Sequence, residues 1–419
     1  MTPTSHDDAL VRWIDGHAEE LIALTRDFVR VPSVSGTEGT FAHRVADWAG
    51  AKGLETELRC IPEEFRDRYP DFSREMNLPE RPNLYVRLRS PEGRDAPAVV
   101  LNGHLDVVPV GDLSRWRFDP FAGERADGAI WGRGSADMKG PVAAGLMAVL
   151  ALRECSVPLA ADVHVHLVIG EETGGLGTLF ALSHEPPARG EIVLEPSQSR
   201  IVVAGGGSVQ FTVRATGKAA HGCAPWEGRS ALNALVACLH RLEAYAERRN
   251  ATLSHPLFKA FPQPAPLSVG TFFAGEWRAT VPEGGELSGR IGALPGEDLN
   301  AIREDIKAEI EACRKALGMG PADLTVDWPN QGFPAWQTPA ATQLVEALQS
   351  AAAATGQDDT LTGVTFGSDA GHIAQRDVPV AIYGPGNIAV AHMVDEHISE
   401  VELVEACKTL ALALARLAG

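Results

Sequence analysis

The segment Asn102-Gly-His104-Leu-Asp106 places a histidine and an aspartate where they could take part in metal or acid–base chemistry. It follows a short apolar run with the composition of a buried strand. His104 and Asp106 are two positions apart, so in an extended chain their side chains share a face. His104 could ligate a metal while Asp106 orients its ring. Taken alone, however, the segment is more typical of a turn histidine beside a solvated aspartate.

A second segment, Gly132-Arg-Gly-Ser-Ala-Asp137-Met-Lys-Gly140, sets an aspartate among three glycines. Glycine adopts backbone conformations that other residues avoid, and a carboxylate with both oxygens free can bridge two cations. A phosphate-binding loop is the competing interpretation. The segment does not fit G-x-x-x-x-G-K-[ST], because Lys139 is misplaced for that role.

Further carboxylates and histidines follow later apolar runs. Glu171 and Glu172 are adjacent, and burying both is costly unless one is neutralised. A metal on one and a proton shuttle on the other would resolve the cost, whereas a solvated loop pair is the alternative. Glu195 ends another apolar run and could be an oxygen ligand, although alone it is weak evidence. Near the C-terminus, His392 or His397 could supply a final nitrogen ligand.

Motifs of several competing chemistries are missing from the sequence. It contains no H-E-x-x-H, no G-x-S-x-G and no dinucleotide-binding fingerprint. The six cysteines are scattered without a C-x-x-C pair, which argues against a thiolate zinc site. A metal would therefore have to be held by carboxylates and histidines.

The surrounding elements predict an α/β fold with a largely parallel sheet. The predicted elements are helices at 9–31, 141–152, 338–353 and 400–417, and strands at 98–103, 162–170, 191–195 and 378–383. Each segment described above follows such a strand or a glycine turn, and open α/β sheets place their sites at the C-terminal ends of strands.

The pattern changes after Gly205-Gly-Gly. Residues 209–215 alternate with period two, which predicts a strand with one solvated face. Helices and strands then follow in the order expected of an inserted α+β domain. We therefore predict a catalytic domain formed by residues 1–206 and 331–419, with an inserted domain at 207–330.

The overall charge and hydropathy exclude some classes of partner. The 419 residues carry a formal charge of −18, whereas a nucleic-acid-binding face needs clustered Lys and Arg. No apolar run approaches the length needed to span a membrane, and no secretory signal is evident. Together with the scattered free thiols, these features predict a cytoplasmic protein without nucleic-acid or membrane partners.

In combination, G-H-x-D-V-V-P, G-R-G-x-x-D-M-K-G and the later E-E-x-G resemble a family of co-catalytic metallohydrolases. It is the family of acetylornithine deacetylase, succinyl-diaminopimelate desuccinylase, aminoacylase and carboxypeptidase G, and the resemblance covers essentially the whole chain. It implies a zinc-peptidase-like α/β catalytic domain with an inserted α+β lid and dimerisation domain, and therefore a homodimer.

The resemblance also implies a ligand set for two divalent ions. Asp137 would bridge both ions, His104 and Glu195 would complete one site, and Glu172 and His392 would complete the other. Such sites of nitrogen and oxygen ligands suit zinc, and would also accept cobalt or manganese.

Catalytic roles follow from the same resemblance. Glu171 would be the general base, Asp106 would orient His104, and the Asp137–Met138 peptide would be cis. His221 would hold the oxyanion, reaching over from the dimer partner. Without the resemblance, His221 would be more typical of a surface turn.

The substrate is less defined than the metal ligands. By resemblance, Arg290, Gly367 and Ser368 would bind a substrate carboxylate and its surroundings. The family often has N-V-I-P where this chain has Ala279-Thr-Val-Pro282, so the usual asparagine contact is missing. The sequence therefore favours a small N-acyl amino acid as substrate without naming it. A dipeptidase or carboxypeptidase of the same family is the near alternative, and a non-catalytic binding protein on this fold is the remote one.

Overall fold

The computed structural model describes residues 5–69, 78–91 and 96–419. The helices in that part of the chain are α1 (Ser5–Gly16), α2 (Ala18–Val29), α3 (Gly39–Ala51), α4 (Glu63–Arg66), α5 (Gly140–Glu154), α6 (Leu176–His184), α7 (Ala231–Asn250), α8 (Leu299–Ala316), α9 (Gln343–Thr355), α10 (Asp369–Ala374) and α11 (Glu400–Ala418). The strands are β1 (Glu55–Cys60), β2 (Pro82–Leu88), β3 (Val99–His104), β4 (Glu124–Ala126), β5 (Ala129–Trp131), β6 (Val163–Val168), β7 (Gly190–Val193), β8 (Ile201–Gly205), β9 (Gly207–Thr216), β10 (Leu267–Ala274), β11 (Gly284–Ala293), β12 (Leu324–Asp327), β13 (Trp336–Gln337), β14 (Leu361–Val364), β15 (Val380–Ile382) and β16 (His397–Ser399).

A nine-stranded sheet forms the centre of the larger unit. Its order is β1-β2-β6-β3-β7-β15-β8-β13, with β14 paired to β8. The central strands β6, β3, β7 and β15 are parallel, and antiparallel pairs flank them. Because parallel strands end at the same edge of a sheet, the segments that follow β3, β6 and β7 converge there. The predicted α/β fold class is confirmed.

Helix α5 packs against this sheet and is buried along almost its whole length. A Cβ at Gly145 would lie 2.9 Å from Leu194 Cδ1 and 3.1 Å from Leu101 Cδ1, so glycine lets the helix approach the strands closely. Within the described chain, one helical stretch, Ser135–Glu154, is long and apolar enough to cross a membrane. The prediction that no apolar run approaches this length is therefore wrong. Its apolar window is entirely buried in the protein, which accounts for its composition.

The second unit is a four-stranded antiparallel sheet in the order β10-β11-β9-β12. Helices α7 and α8 pack on it around a separate apolar core. Ser230 caps α7, its Oγ accepting a hydrogen bond from the Asn233 amide at 3.2 Å. All of these strands and helices lie within residues 207–330, the segment predicted as an insertion. Strands β10 and β12 are the two edge strands of this sheet.

The prediction of one continuous helix near the N-terminus is wrong. The sequence predicts a single helix over residues 9–31, whereas the structure divides it into α1 and α2 at His17. The Nδ1 atom of His17 hydrogen-bonds to the Trp13 carbonyl at 2.7 Å, and the two rings stack 3.9 Å apart. This local interaction ends the first helix before the second begins.

Candidate metal and catalytic site

The structure brings the five predicted metal ligands together at the carboxyl edge of the central sheet. His104 is the last residue of β3, Glu195 follows β7, and Glu172 follows β6. Asp137 lies in a π-helical turn, Ser135–Lys139, just before α5. His392 lies in the loop that precedes β16. The topology thus gathers residues that are far apart in the sequence.

His104, Asp137 and Glu195 form the first half-site. Their ligand atoms lie within 4.8 Å of one another, and all three side chains are buried. His104 Nε2 lies 3.0 Å from Asp137 Oδ1 and 3.8 Å from Glu195 Oε1. The other ring nitrogen, Nδ1, is 2.7 Å from the Asp106 carbonyl oxygen, so Nδ1–H donates there and Nε2 faces the carboxylates.

Asp137, Glu172 and His392 form the second half-site, within the same 4.8 Å span. His392 Nε2 lies 3.3 Å from Asp137 Oδ2 and 3.1 Å from Glu172 Oε1. The His392 side chain is 53% exposed, so this half-site opens to solvent. His397, the other candidate, instead pairs with Trp131 in a three-stranded sheet of β16, β5 and β4, and hydrogen-bonds to the Asp395 carbonyl.

The electrostatics of the site favour bound cations. Burial raises the pKa of Glu195 well above its usual range, and the charge of Asp137 raises it further. Burial also raises the pKa of Asp137, but hydrogen bonds from His104 and His392 outweigh it and the net pKa is low. Burial lowers the pKa of His392, yet contacts with Asp137 and Glu172 raise it to about 10. Buried carboxylates around two imidazoles therefore form a donor set that fits divalent ions.

Asp106 is fully buried beneath the first half-site. Its carboxylate accepts hydrogen bonds from Ser35 Oγ at 2.8 Å and from the amides of Glu171 and Glu172 at 3.1 and 3.2 Å. Its Oδ1 atom lies 3.8 Å from His104 Nδ1, which bonds to the Asp106 carbonyl oxygen instead. Asp106 thus orients His104 through its backbone, while its carboxylate holds the loop of the two glutamates.

The turn that carries Asp137 is held by Glu396, a residue to which the sequence analysis gave no role. Glu396 Oε1 accepts hydrogen bonds from the amides of Ala136 and Asp137, both at 3.0 Å. Its Oε2 accepts from Arg133 Nη1 at 2.6 Å, and both side chains of this ion pair are buried. The Asp137–Met138 peptide is cis, as the resemblance implies.

We expect Glu396→Gln to weaken metal binding by about 10- to 100-fold, because groups that orient metal ligands typically contribute that much. The amide would also leave Arg133 buried without a counter-charge, so the protein should be less stable. Competition with a chromophoric chelator measures the affinity. Glu400→Gln is the matched control, since Glu400 pairs with the partly exposed Arg125. Equal metal affinity in the two variants would contradict this role.

Glu171 lies beside the half-sites but outside both of them. Burial raises its pKa well above the usual range, and the charges of Glu195 and Asp369 add to the rise. Asp369 is buried, accepts a hydrogen bond from Thr178 Oγ1 at 2.7 Å, and has its pKa raised to about 7, mainly by burial. Asp369 and Thr178 were missed from the sequence, because neither belongs to a metal-ligand pattern.

The predicted substrate residues lie on the loop between β14 and α10 and on the inserted sheet. Arg290, on β11, donates a hydrogen bond from Nη2 to the Thr365 carbonyl at 3.2 Å. Ser368 is buried, and its Oγ has no hydrogen-bond partner among the described residues. A Cβ at Gly367 would lie 2.7 Å from Phe333 Cβ, so no larger residue fits there. Arg290 thus contacts the segment that carries Gly367 and Ser368, and Asp369 follows these two residues in the chain.

His221 is not brought to the metal ligands within the chain. It is exposed on the inserted unit, forms a bridge with Thr280, and accepts a hydrogen bond at Nδ1 from the Cys223 amide at 3.1 Å. Its hydrogen bonds and ion pairs to described residues include none with the five ligands. Its role in the oxyanion site stays a prediction.

Asn330 joins the two units close to the site, and the sequence analysis did not single it out. Its Nδ2 donates to Gln210 Oε1 at 3.0 Å on β9 and to the Thr173 carbonyl at 3.3 Å. Thr173 directly follows the two glutamates. An asparagine in a loop carries no sequence signal for such a contact.

Comparisons with known proteins agree with this geometry. The chain is 26% identical to an N-formyl-4-amino-5-aminomethyl-2-methylpyrimidine deformylase of Bacillus subtilis, across 96% of this chain and 95% of that one. It is 29% identical to a succinyl-diaminopimelate desuccinylase of Cupriavidus taiwanensis, across 93% and 96% of the two chains. A dipeptidase structure from Saccharomyces cerevisiae shares the fold with a TM-score of 0.84 at 16% identity, covering 99% of both chains.

The sequence model of peptidase family M20/M25/M40 matches residues 100–416, which is most of the chain. The matched range contains all five clustered ligands and Glu171. The chain therefore belongs to peptidase family M20/M25/M40 and is a metal-dependent enzyme that hydrolyses amide bonds.

Proposed function

We propose that this enzyme releases the acyl group from a small N-acylated substrate that carries a carboxylate, such as an N-acyl amino acid, using two divalent ions. The observation that supports two ions is the position of Asp137. Its Oδ1 faces His104 and its Oδ2 faces His392, so each carboxylate oxygen belongs to a different half-site. Zinc suits these nitrogen and oxygen ligands best, and cobalt or manganese would also fit.

The ions, when bound, would polarise the scissile carbonyl and lower the pKa of a water between them. Glu171 would accept the proton of that water and pass it to the leaving nitrogen. A general base should have a pKa near the working pH, and burial moves the pKa of Glu171 upwards from the usual carboxylate range. The Asp106 carboxylate holds the loop of Glu171 in place by accepting a hydrogen bond from the Glu171 backbone amide.

Arg290 supports a substrate with a carboxylate. Burial lowers the pKa of the Arg290 guanidinium. The guanidinium donates one hydrogen bond, to the Thr365 carbonyl. A guanidinium has five N–H donors and binds carboxylates well. Ser368 Oγ, which has no hydrogen-bond partner in the described part of the chain, lies on the adjoining loop and offers another donor.

The substrate class is tested by hydrolysis of a panel of N-formyl, N-acetyl and N-succinyl amino acids alongside dipeptides. We expect the N-acyl amino acids to be cleaved with the higher kcat/KM, and a chelator to abolish the activity. Faster cleavage of dipeptides would establish the peptidase alternative instead. Activity that persists after thorough metal removal would refute the metal mechanism.

We also propose a homodimer formed through the inserted sheet. The edge strand β10 has an unpaired side and carries the exposed Phe273, and Trp277 follows it. Both residues line a groove of about 530 Å³. Exposed strand edges and clustered exposed aromatic residues are features of association surfaces. Thr280 also lines this groove and bridges to His221, so His221 lies beside the proposed interface.

If His221 acts in the partner's site, chains with different defects should complement each other. We expect inactive His221→Ala and Glu171→Ala proteins to regain activity when their subunits exchange, because a mixed dimer contains one complete site. Random mixing should restore up to about a quarter of the parent rate, since half the dimers are mixed and each has one intact site of two. No recovery after confirmed subunit exchange would contradict the role in trans.

A further inference from the structure

A cluster of three histidines and a glutamate lies on β6 and at the end of α6, away from the catalytic residues. His164 and His166 are two apart on β6, so both side chains project from the same face of the strand. His184 ends α6 and Glu185 follows it. The catalytic glutamates follow the other, C-terminal end of β6. The cluster is therefore separate from the two half-sites.

The three histidines have buried ring nitrogens. Among the residues that the structure describes, the Nε2 atoms of His164, His166 and His184 have no hydrogen-bond partner. His164 and His166 are only 8% and 5% exposed. A buried polar atom without a partner is destabilising, so three in one cluster call for a ligand that satisfies them.

The protonation of these rings favours metal binding. His184 Nδ1–H donates to the Phe180 carbonyl at 2.7 Å, which leaves a lone pair on its Nε2. Burial lowers the pKa of His164 and His166, and the charge of Arg87 lowers both further. A lowered pKa favours the neutral ring, which is the form of imidazole that ligates metals.

The geometry has the same scale as the catalytic half-sites. One ligand atom each from His164, His166 and Glu185 lies within 4.8 Å of the others. His184 Nε2 lies 3.7 Å from Glu185 Oε1, outside that set of three, and is the neighbouring candidate for a fourth ligand. We propose that these four residues form a closed structural site for a divalent transition metal such as zinc, distinct from the catalytic ions. Four protein ligands are typical of structural zinc.

Neighbouring charges are compatible with an additional cation. Arg87 is the cation closest to the glutamate, with Nη2 3.0 Å from Glu185 Oε1, but it also pairs with Glu57 at 2.9 Å. Asp162 Oδ2 lies 3.7 Å from His164 Nε2 and adds another negative charge. Asp162 also pairs with Arg89 at 2.9 Å and Glu57 with Arg59, so a cation at the cluster would share these carboxylates with arginines.

A metal here would fasten the end of α6 to the beginning of β6. Helix α6 begins directly after the loop of Glu171 and Glu172 and carries Thr178, which hydrogen-bonds to Asp369. The ion would therefore stabilise an element that supports the catalytic loop, without touching substrate.

The test is the number of zinc ions that the full-length protein binds. Parent protein and the variants His166→Phe and Glu185→Gln are stripped with a chelator, dialysed against zinc, and analysed for bound zinc per chain. We expect each variant to bind one ion fewer than the parent. Zinc should also raise the Tm of the parent more than that of either variant, since binding stabilises the folded state. His240→Gln, at a histidine with a 70% exposed side chain, is the matched control.

Equal zinc content in parent and variants would overturn the proposal and identify the cluster as neutral core histidines. Glu185→Gln keeps the shape of the side chain, and its amide oxygen can still accept the hydrogen bond from Arg87. This variant therefore answers the question if His166→Phe does not fold. The catalytic ions do not affect this result. They contribute equally to the zinc content of parent and variant, so the difference in zinc per chain reports only the histidine cluster.

Discussion

Replacing Glu171 by glutamine is expected to lower kcat by about 10²- to 10⁴-fold, the usual contribution of a positioned acid–base group. Glutamine keeps the size of the side chain but cannot accept and return a proton. Because Glu171 lies outside both half-sites, the bound metal should be unchanged. Steady-state kinetics on the best substrate of the panel, together with metal analysis, measures both quantities.

Glu191→Gln is the matched control for this prediction. Glu191 is also buried at the central sheet, and burial, aided by the charge of Asp369, raises its pKa to about 8. It is therefore mostly protonated near neutral pH, where a neutral amide is a close substitute. We expect a small change in kcat for this control. A Glu171→Gln protein with near-parental kcat would remove Glu171 from the proton-transfer step.

The ligand set could be predicted from the sequence because each ligand adjoins a recognisable element. His104 ends one short apolar run and Glu195 follows another. These two runs form β3 and β7, which are parallel neighbours in the sheet. The C-terminal ends of parallel strands lie at the same edge of a sheet, so residues that end such strands in the sequence are expected to lie close together. The family resemblance then supplied the pairing of ligands, which no spacing along the chain determines.

The supporting residues could not be predicted in the same way. Glu396 reaches the amides of Ala136 and Asp137 across 259 or more positions of the chain. Asp106 was expected to orient His104 with its carboxylate, whereas its backbone carbonyl does so and the carboxylate binds amides instead. Such contacts depend on loop conformation and side-chain direction, which composition and periodicity do not encode.

The break between α1 and α2 has a similar origin. The apolar positions continue in helical spacing through residues 9–31, so the pattern predicts one helix. The bond from His17 to the Trp13 carbonyl and the stacking of the two rings are local interactions that compete with continuation of the helix. Hydrophobic periodicity indicates which face of a helix is buried. It does not reveal that one residue, here His17, interrupts the helix.

Asp137→Asn is expected to abolish the paired metal site. An amide nitrogen replaces one carboxylate oxygen and cannot ligate a cation, so the two half-sites would no longer share a bridging residue. Loss of metal-assisted stabilisation worth several kcal/mol corresponds to a fall in kcat of roughly 10³-fold or more. Metal content should fall by at least one ion per chain. Elemental analysis and steady-state kinetics on the same preparation measure the two effects.

Asp112→Asn, at an exposed aspartate whose Oδ1 accepts a hydrogen bond from the Ser114 amide, is the matched control, because asparagine can accept the same bond. The backbone amide of residue 137 still donates to Glu396 in the Asp137→Asn protein, so the turn should persist and circular dichroism should match the parent. Under that condition, a lost ion and lost activity are attributable to the bridge. An Asp137→Asn protein that retains its full metal content and parental kcat would show that each half-site functions without a shared carboxylate.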